Sequence, residues 1–202
     1  MPETLTRLLV PCLVCFLAGS IPFAVVAMLG SGIDIRRVGS GNPGFNNVLR
    51  VSKGRAVIAL IGDVGKGSLP VWYFYHFHAP GGDVALGWLF GFAAVLGHCY
   101  SPFLKFSGGK GIATSAGSML VLYPRWGGGA LVFFIIMRLA GSRLKWREAG
   151  AIASVSAWVF FVLLALVFVS PRDAMFAGFM TLFLAWRHKK NFQNLVALGA
   201  GS

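Results

Sequence analysis

Long runs of apolar residues dominate the chain, and their length predicts helices that cross a membrane. Residues 8–30, 84–104 and 149–170 each provide about 20 or more positions, enough to cross the hydrocarbon core of a bilayer. Four further apolar segments cover residues 56–75, 112–123, 127–137 and 174–186. We therefore predict an all-α integral membrane protein with about seven transmembrane helices, forming a single transmembrane domain over residues 1–202.

The fourth and fifth segments are short, and their path across the bilayer stays open. Pro124 and the run Gly127-Gly128-Gly129 separate them, and such residues are typical of helix ends and loops. The pair therefore forms either two short spans or a re-entrant pair, and both alternatives leave the later segments on the same sides. The first segment is too long for a signal-peptide core, so we expect a retained helix.

Basic residues are distributed unequally between the two sides of these segments. Of the 18 Lys and Arg residues, 14 fall on the side of the first loop and 3 on the opposite side, and Lys66 lies within a segment. Because positive residues favour the cytoplasm, we expect the N-terminus outside and the C-terminus in the cytoplasm. The net charge of +12 also suits anionic membrane lipid. Its spread over short loops argues against a nucleic acid partner.

The first loop combines glycines with polar side chains in a pattern that suits an anion. It reads Val38-Gly39-Ser40-Gly41-Asn42-Pro43-Gly44-Phe45-Asn46-Asn47-Val48-Leu49-Arg50. Its glycine, Ser and Asn residues supply backbone and side-chain donors without bulk, as a backbone anion nest requires. Arg50 follows Asn46 by about one helical turn, so it can fold back over a phosphate. The alternative is a flexible glycine-rich turn.

A second glycine-rich loop precedes the fourth apolar segment and reads Phe106-Ser107-Gly108-Gly109-Lys110-Gly111-Ile112-Ala113-Thr114. The N–H groups at the start of a helix, the helix dipole and Lys110 would converge there on one anion. The loop is not a Walker A motif, because Gly111 replaces the magnesium-binding Ser or Thr and the first glycine is absent. Residues 62–67 fail the same comparison, so we do not expect an ATPase.

Ionisable residues in or beside the apolar segments are candidates for function. Asp63 and Lys66 lie at i,i+3 on one helix face, where they either neutralise each other or act in catalysis. His98 ends the third segment and either packs there or belongs to the site. After the last segment His188 and Asn191, again at i,i+3, can face one pocket as a hydrogen-bonding pair.

Two further patterns carry less weight. His78 and Asp83 have the H-x4-D spacing of a large acyltransferase class in which His is the base. The predicted topology places them outside, away from both glycine loops. Cys12 and Cys15 form a C-x-x-C pair, but no second pair or His cluster completes a zinc site, so we expect no metal.

Taken in order, the three cytoplasmic stretches resemble the acyl-phosphate-dependent glycerol-3-phosphate acyltransferase family of bacterial membranes, the PlsY family. The resemblance covers nearly the whole chain and rests on residues 39–42, 44, 47–50, 63, 66–67, 97–102, 106, 108–111, 187–188 and 191. The chain has Phe45-Asn46 where the family usually has Ala-Thr, and Ser107 in place of a common Lys. After Asn191 the family's usual Arg-Leu-Leu and terminal Glu are missing, and the chain ends with Gly201-Ser202.

The resemblance implies a reaction and the residues that carry it. The sn-1 hydroxyl of glycerol 3-phosphate would attack a fatty acyl phosphate, giving lysophosphatidic acid and phosphate at the cytoplasmic face of the bacterial plasma (inner) membrane. Ser40, Arg50 and Lys110 would be the catalytic residues. The substrate-binding residues would be Gly41, Asn42, Gly44, Asn47, Gly108, Gly109, Gly111, His188 and Asn191. No metal or organic cofactor is implied. The alternatives are an anion or phosphate-ester transporter and a non-catalytic homologue.

Overall fold

The structure, a computed structural model, describes the backbone of residues 2–199 and the side chains of residues 7–79 and 81–197. It divides into two compact units, the first ending at Leu122 and the second beginning at Tyr123. Within the described residues all regular structure is helical. The α-helices are α1 (Pro2–Ser20), α2 (Phe23–Ala27), α3 (Phe45–Val51), α4 (Lys53–His78), α5 (Val84–Cys99), α6 (Ile112–Leu122), α7 (Pro124–Arg143), α8 (Ala149–Phe168), α9 (Pro171–Arg187) and α10 (Lys189–Gly199).

The prediction of an all-α fold is confirmed, and each predicted apolar segment coincides with helical structure. Single 3₁₀ turns, Pro80–Gly82 and Pro102–Leu104, lie on either side of α5. Three stretches are long and apolar enough to cross a membrane: Arg7–Ala27, Val84–Leu104 and Ala149–Phe168. These are the three longest spans expected from the sequence.

In the first unit, small residues let the helices approach each other closely. A Cβ atom on Gly19 of α1 would lie 2.0 Å from the carbonyl oxygen of Ala94 on α5, and one on Gly97 would lie 2.0 Å from that of Phe16. Helices α4 and α6 cross in the same way at Gly67. Without a hydrophobic driving force between helices in lipid, such close backbone packing is a main source of helix association.

Helix α6 is short, and its position beside α5 determines where the second glycine loop lies. Thr114, at its start, contacts His98, and Leu122, at its end, lies against Gly87. The two helices therefore run antiparallel. The 11 residues of α6 rise about 17 Å, roughly half of the hydrocarbon thickness of a bilayer. The second loop thus ends level with His98, inside the length of the third apolar segment.

The expected break between the fourth and fifth apolar segments is present, since α6 ends at Leu122 and α7 begins at Pro124, but the glycine run is not part of it. Helix α7 begins at Pro124, and the glycine run lies inside the helix, where the N–H of Gly127 donates to the carbonyl of Tyr123 at 2.7 Å. Proline is compatible with the first helical position because its missing N–H would have no partner in the helix. The helix has 20 residues, and stacked rings on α7 and α8, Trp126 on Phe168 among them, hold the two helices together.

Candidate phosphate and hydroxyl site

The first loop, residues 34–44, is shaped by the buried side chain of Asn47, which is 2% exposed. Its Oδ1 accepts a hydrogen bond from the N–H of Ser40 at 3.0 Å. Its Nδ2 donates to the carbonyls of Ile35 at 2.9 Å and Val38 at 3.0 Å, which uses both amide hydrogens. These three hydrogen bonds make Asn47 a residue that holds the loop in shape. Its predicted contact with substrate stays a prediction.

Several N–H groups of this loop bond within the loop, which leaves fewer donors for the backbone nest expected there. Besides the N–H of Ser40, that of Gly41 donates to the carbonyl of Val38 at 3.0 Å and that of Gly44 to the carbonyl of Asn42 at 2.9 Å. Gly41 has a φ of +67°, a left-handed conformation that permits this tight turn. Gly41 and Gly44 therefore support the loop through their backbones. That Gly41, Asn42 and Gly44 bind substrate stays a prediction.

Ser40 and Arg50 are both exposed, as are Arg36, Arg37 and Asn46. Arg50 lies on α3, and a Cβ atom on Gly39 would lie 3.7 Å from its Nη1, so the guanidinium is placed against the loop. The nearby Arg36 is held by Asp34 through two bonds of 2.8 Å, Nε to Oδ1 and Nη2 to Oδ2. These hydrogen bonds from Arg36 lower the pKa of Asp34 to about 2.

The second loop folds back on the end of α5. The N–H of Gly108 donates to the carbonyl of Cys99 and that of Gly109 to the carbonyl of His98, each at 3.1 Å. A Cβ atom on Gly109 would lie 2.1 Å from Nε2 of His98, so no larger residue fits there without movement. The two glycines dock the loop. Lys110 follows directly and is half-buried, just before the first turn of α6.

Beneath this loop, three ionisable residues of the first unit, Asp63, Lys66 and His98, form a buried polar cluster. Lys66 Nζ lies 2.8 Å from Asp63 Oδ1 and donates to the carbonyl of Ile21 at 2.7 Å. The same Asp63 oxygen lies 3.6 Å from Nδ1 of His98, and that nitrogen lies 3.1 Å from Oγ1 of Thr114. Asp63 and Lys66 thus neutralise each other. Asp63 also contacts His98, and Lys66 the carbonyl of Ile21, and neither contact was predicted from the sequence.

In the second unit, His188 and Asn191 follow α9. Nδ1 of His188, whose residue is 4% exposed, lies 2.8 Å from the carbonyl of Leu184. A carbonyl only accepts, so Nδ1 carries the hydrogen. Asn191 Nδ2 donates to Glu148 Oε2 at 2.5 Å, and Asn194 Nδ2 donates to Glu148 Oε1 at 3.1 Å. Sequence reasoning missed Glu148, although it is the only acid in the basic stretch from residue 143 to residue 148.

The remaining candidates have structural contacts of their own. Asp83 caps α5 by accepting from the N–H of Ala85 at 3.0 Å. The His78 ring packs 5.1 Å from the ring of Phe74 and 5.4 Å from that of Tyr73. In the part of the chain that the structure describes, no three His, Cys, Asp or Glu residues are grouped closely enough to hold a metal ion.

Comparison with known proteins gives one consistent grouping. The sequence profile of a family described as glycerol-3-phosphate acyltransferase matches residues 9–198. The glycerol-3-phosphate acyltransferase of Burkholderia ambifaria (strain MC40-6) is 37% identical over 196 residues, 95% of this chain and 88% of that protein. The protein of the same name from Burkholderia cenocepacia (strain HI2424) is 39% identical over 197 residues, with the same coverage.

Two solved structures are similar over almost the whole chain. Both are crystal structures of PlsY (YgiH), an integral membrane glycerol 3-phosphate acyltransferase. Its glycerol 3-phosphate form has a TM-score of 0.82 at 29% identity and covers 94% of this chain and 92% of that one. Its lysophosphatidic acid form has a TM-score of 0.81 at 28% identity and covers 94% and 91%.

Proposed function

The chain belongs to the glycerol-3-phosphate acyltransferase family, and from this membership we propose that it transfers a fatty acyl group from acyl phosphate to glycerol 3-phosphate. The sn-1 hydroxyl oxygen bonds to the acyl carbon, the bond from that carbon to the phosphate oxygen breaks, and the hydroxyl proton passes to phosphate. Lysophosphatidic acid and inorganic phosphate leave. The observation that carries the proposal is that Arg50 lies against Gly39, which precedes Ser40 in the first loop, in the unit that also contains Lys110.

The phosphate contacts are assigned to side chains of the first unit. Arg50 offers a planar fork of N–H donors, Lys110 a point charge and Ser40 a hydroxyl donor. Both loops already use glycine N–H groups to hold their own shape, so these three side chains carry the contacts with phosphate. Two fixed cations stabilise the charge that develops on a departing phosphate, which is the largest single contribution in many acyl and phosphoryl transfers.

The second unit supplies groups that suit hydroxyls, and by resemblance these hold glycerol 3-phosphate. With a hydrogen on Nδ1, a neutral His188 keeps Nε2 as an acceptor. Asn191 directs its NH2 group to Glu148, so its amide oxygen faces another partner. We assign both residues to binding glycerol 3-phosphate, the molecule that receives the acyl group, with the amide oxygen of Asn191 turned away from Glu148.

We also propose seven spans in a bacterial inner membrane, with the N-terminus outside and the active face cytoplasmic. The bias of 14 basic residues against 3 supports this orientation. The antiparallel course of α6 along α5 favours a short span over a re-entrant pair, because the two ends of α6 lie level with opposite parts of α5. A single family profile over residues 9–198 supports one functional domain built from the two compact units.

The reaction is tested with purified protein in detergent and labelled glycerol 3-phosphate. Acyl phosphate and acyl-CoA are offered separately, and lysophosphatidic acid is measured. We expect product from acyl phosphate and none from acyl-CoA. Turnover of acyl-CoA with no turnover of acyl phosphate would show that the proposed donor is wrong.

Variants then identify the residues that act. A hydrogen bond to a charged group contributes about 1.5 to 3 kcal/mol, so losing one slows turnover at least about tenfold. Arg50→Ala and Lys110→Ala should nearly abolish turnover in protein that still elutes as one folded species. His78→Ala and Asp83→Ala are the matched controls and should stay within a few-fold of the parent, about 1 kcal/mol. The reverse order of effects would refute the assignment.

A further inference from the structure

His98 contacts the second glycine loop through both its backbone and its ring. Its carbonyl accepts from the N–H of Gly109 at 3.1 Å, and its Nε2 lies where a Cβ atom on Gly109 would come within 2.1 Å. Gly109 immediately precedes Lys110. The position of the imidazole ring therefore determines how closely the loop docks on α5. It also determines the position of the Lys110 backbone, which follows Gly109.

The opposite edge of the ring is held by two other helices. Nδ1 lies 3.1 Å from Oγ1 of Thr114 on α6 and 3.6 Å from Oδ1 of Asp63 on α4. All three residues are at most 6% exposed. A hydrogen on Nδ1 thus faces two oxygen acceptors, which restricts rotation of the ring about its side-chain bonds.

Asp63 is in turn held in place by Lys66. The two side chains, each 3% exposed, approach to 2.8 Å, and Lys66 also donates to the carbonyl of Ile21, between α1 and α2. Placing a charged pair among apolar helices is costly, and further hydrogen-bonding partners are needed to satisfy its remaining donors and acceptors. The extension to His98 and Thr114 connects three helices directly below the glycine loop.

From this geometry we propose that Asp63, Lys66, His98 and Thr114 form a positioning cluster for Lys110. Asp63 and Thr114 orient the His98 ring, the ring supports Gly109, and Gly109 sets the direction in which Lys110 leaves the loop. The four residues act through the loop rather than on substrate. The inference rests on the proposed function only for the role of Lys110 toward phosphate.

The test removes one hydroxyl of the cluster and compares it with a neighbouring hydroxyl. Thr114→Val keeps the side-chain size and leaves the pair of Asp63 and Lys66 intact. The control is Ser118→Ala, one turn further along α6. The Ser118 hydroxyl is also buried and donates to the carbonyl of Gly67 at 3.0 Å, away from the imidazole ring. Both variants therefore lose a buried hydroxyl at the same packed interface.

Two readouts are measured, one with turnover and one without. We expect Thr114→Val to lower kcat/KM for glycerol 3-phosphate about tenfold. Hydrogen exchange at the amides of Gly108 and Gly109 should become about fivefold faster, because those N–H groups are docked on the end of α5. Thr114→Ser, which restores the hydroxyl, should return both readouts to within about twofold of the parent, and Ser118→Ala should leave both within the same range.

Equal effects of Thr114→Val and Ser118→Ala on both readouts would show that the cluster only packs the helices, and the inference would fall. If the parent protein shows no turnover, the proposed function fails instead. The exchange comparison then still decides whether the cluster holds the loop.

Discussion

The carboxylate of Glu148 fixes the orientation of the Asn191 side-chain amide. An ionised carboxylate only accepts hydrogen bonds, so the NH2 group of Asn191 must face Oε2, 2.5 Å away. Glu148 adopts a φ of +55°, which a side-chain-bearing residue rarely takes, at the start of α8. Replacing Glu148 with Gln keeps the size of the side chain but replaces the carboxylate, which only accepts hydrogen bonds, with an amide that both donates and accepts. The Asn191 amide can then turn over, and we predict weaker binding of glycerol 3-phosphate.

The size of the effect follows from the two bonds that Glu148 accepts. The bond from Asn194 is exposed and 3.1 Å long, so it contributes little. The bond from Asn191 is shorter and partly buried, which places it near the lower end of the range of about 1.5 to 3 kcal/mol for bonds to charged groups. We therefore expect Glu148→Gln to raise KM for glycerol 3-phosphate about tenfold, with a smaller change in kcat.

Steady-state kinetics at saturating acyl phosphate measure this effect. Asn194→Ala is the matched control, because it removes the other partner of Glu148, and it should stay within about twofold of the parent. In an Asn191→Ala background, Glu148→Gln should have no further effect on KM. A full additional effect in that background, or an unchanged KM for the single variant, would refute the proposed orientation of the amide.

Three further predictions concern the loops and the topology. Gly109→Ala should reduce turnover at least about tenfold, because the added Cβ would meet the ring below it at 2.1 Å; activity near the parent level would contradict the docked loop. In intact cells and without native cysteines, Lys110→Cys should resist an impermeant thiol reagent and Gly82→Cys should react; labelling of the former from outside would reverse the topology. The carboxyl of Asp34, with its pKa lowered to about 2 from the ordinary 3.8, should stay ionised until the pH approaches 2. Its ion pair therefore stabilises the folded loop above pH 3.8 and stops doing so as the pH falls through about 2; a carbon-13 NMR midpoint near 4 would contradict this.

The helices were predictable because apolar length is a local property of the sequence. The stretch Ala149–Phe168, for example, contains no charged residue and can form little else in lipid. The break at Pro124 was predictable, because proline is compatible with the first position of a helix. The run Gly127-Gly128-Gly129 suggested a loop because glycine is typical of turns, whereas in the structure it lies inside α7, which packs on α8.

The site was predictable in composition but not in direction. Loop composition makes Ser40, Arg50 and Lys110 candidates, and their roles stay predictions. Nothing local indicates that the amide of Asn47 points back at Ile35, 12 residues earlier. Contacts between residues farther apart in the sequence were even harder to predict. The partner of Asn191 lies 43 residues away, so no spacing rule within one helix connects the two.

The inward-facing amide of Asn47 also bears on the thermodynamics of ligand capture. When a loop becomes ordered only on binding its ligand, part of the binding energy is lost to that ordering. Here three hydrogen bonds from one side chain complete the loop in advance. The empty and occupied loops should therefore share one backbone conformation. Calorimetry of glycerol 3-phosphate binding should accordingly show only a small entropic penalty from loop ordering, and its association should not be slowed by a folding step.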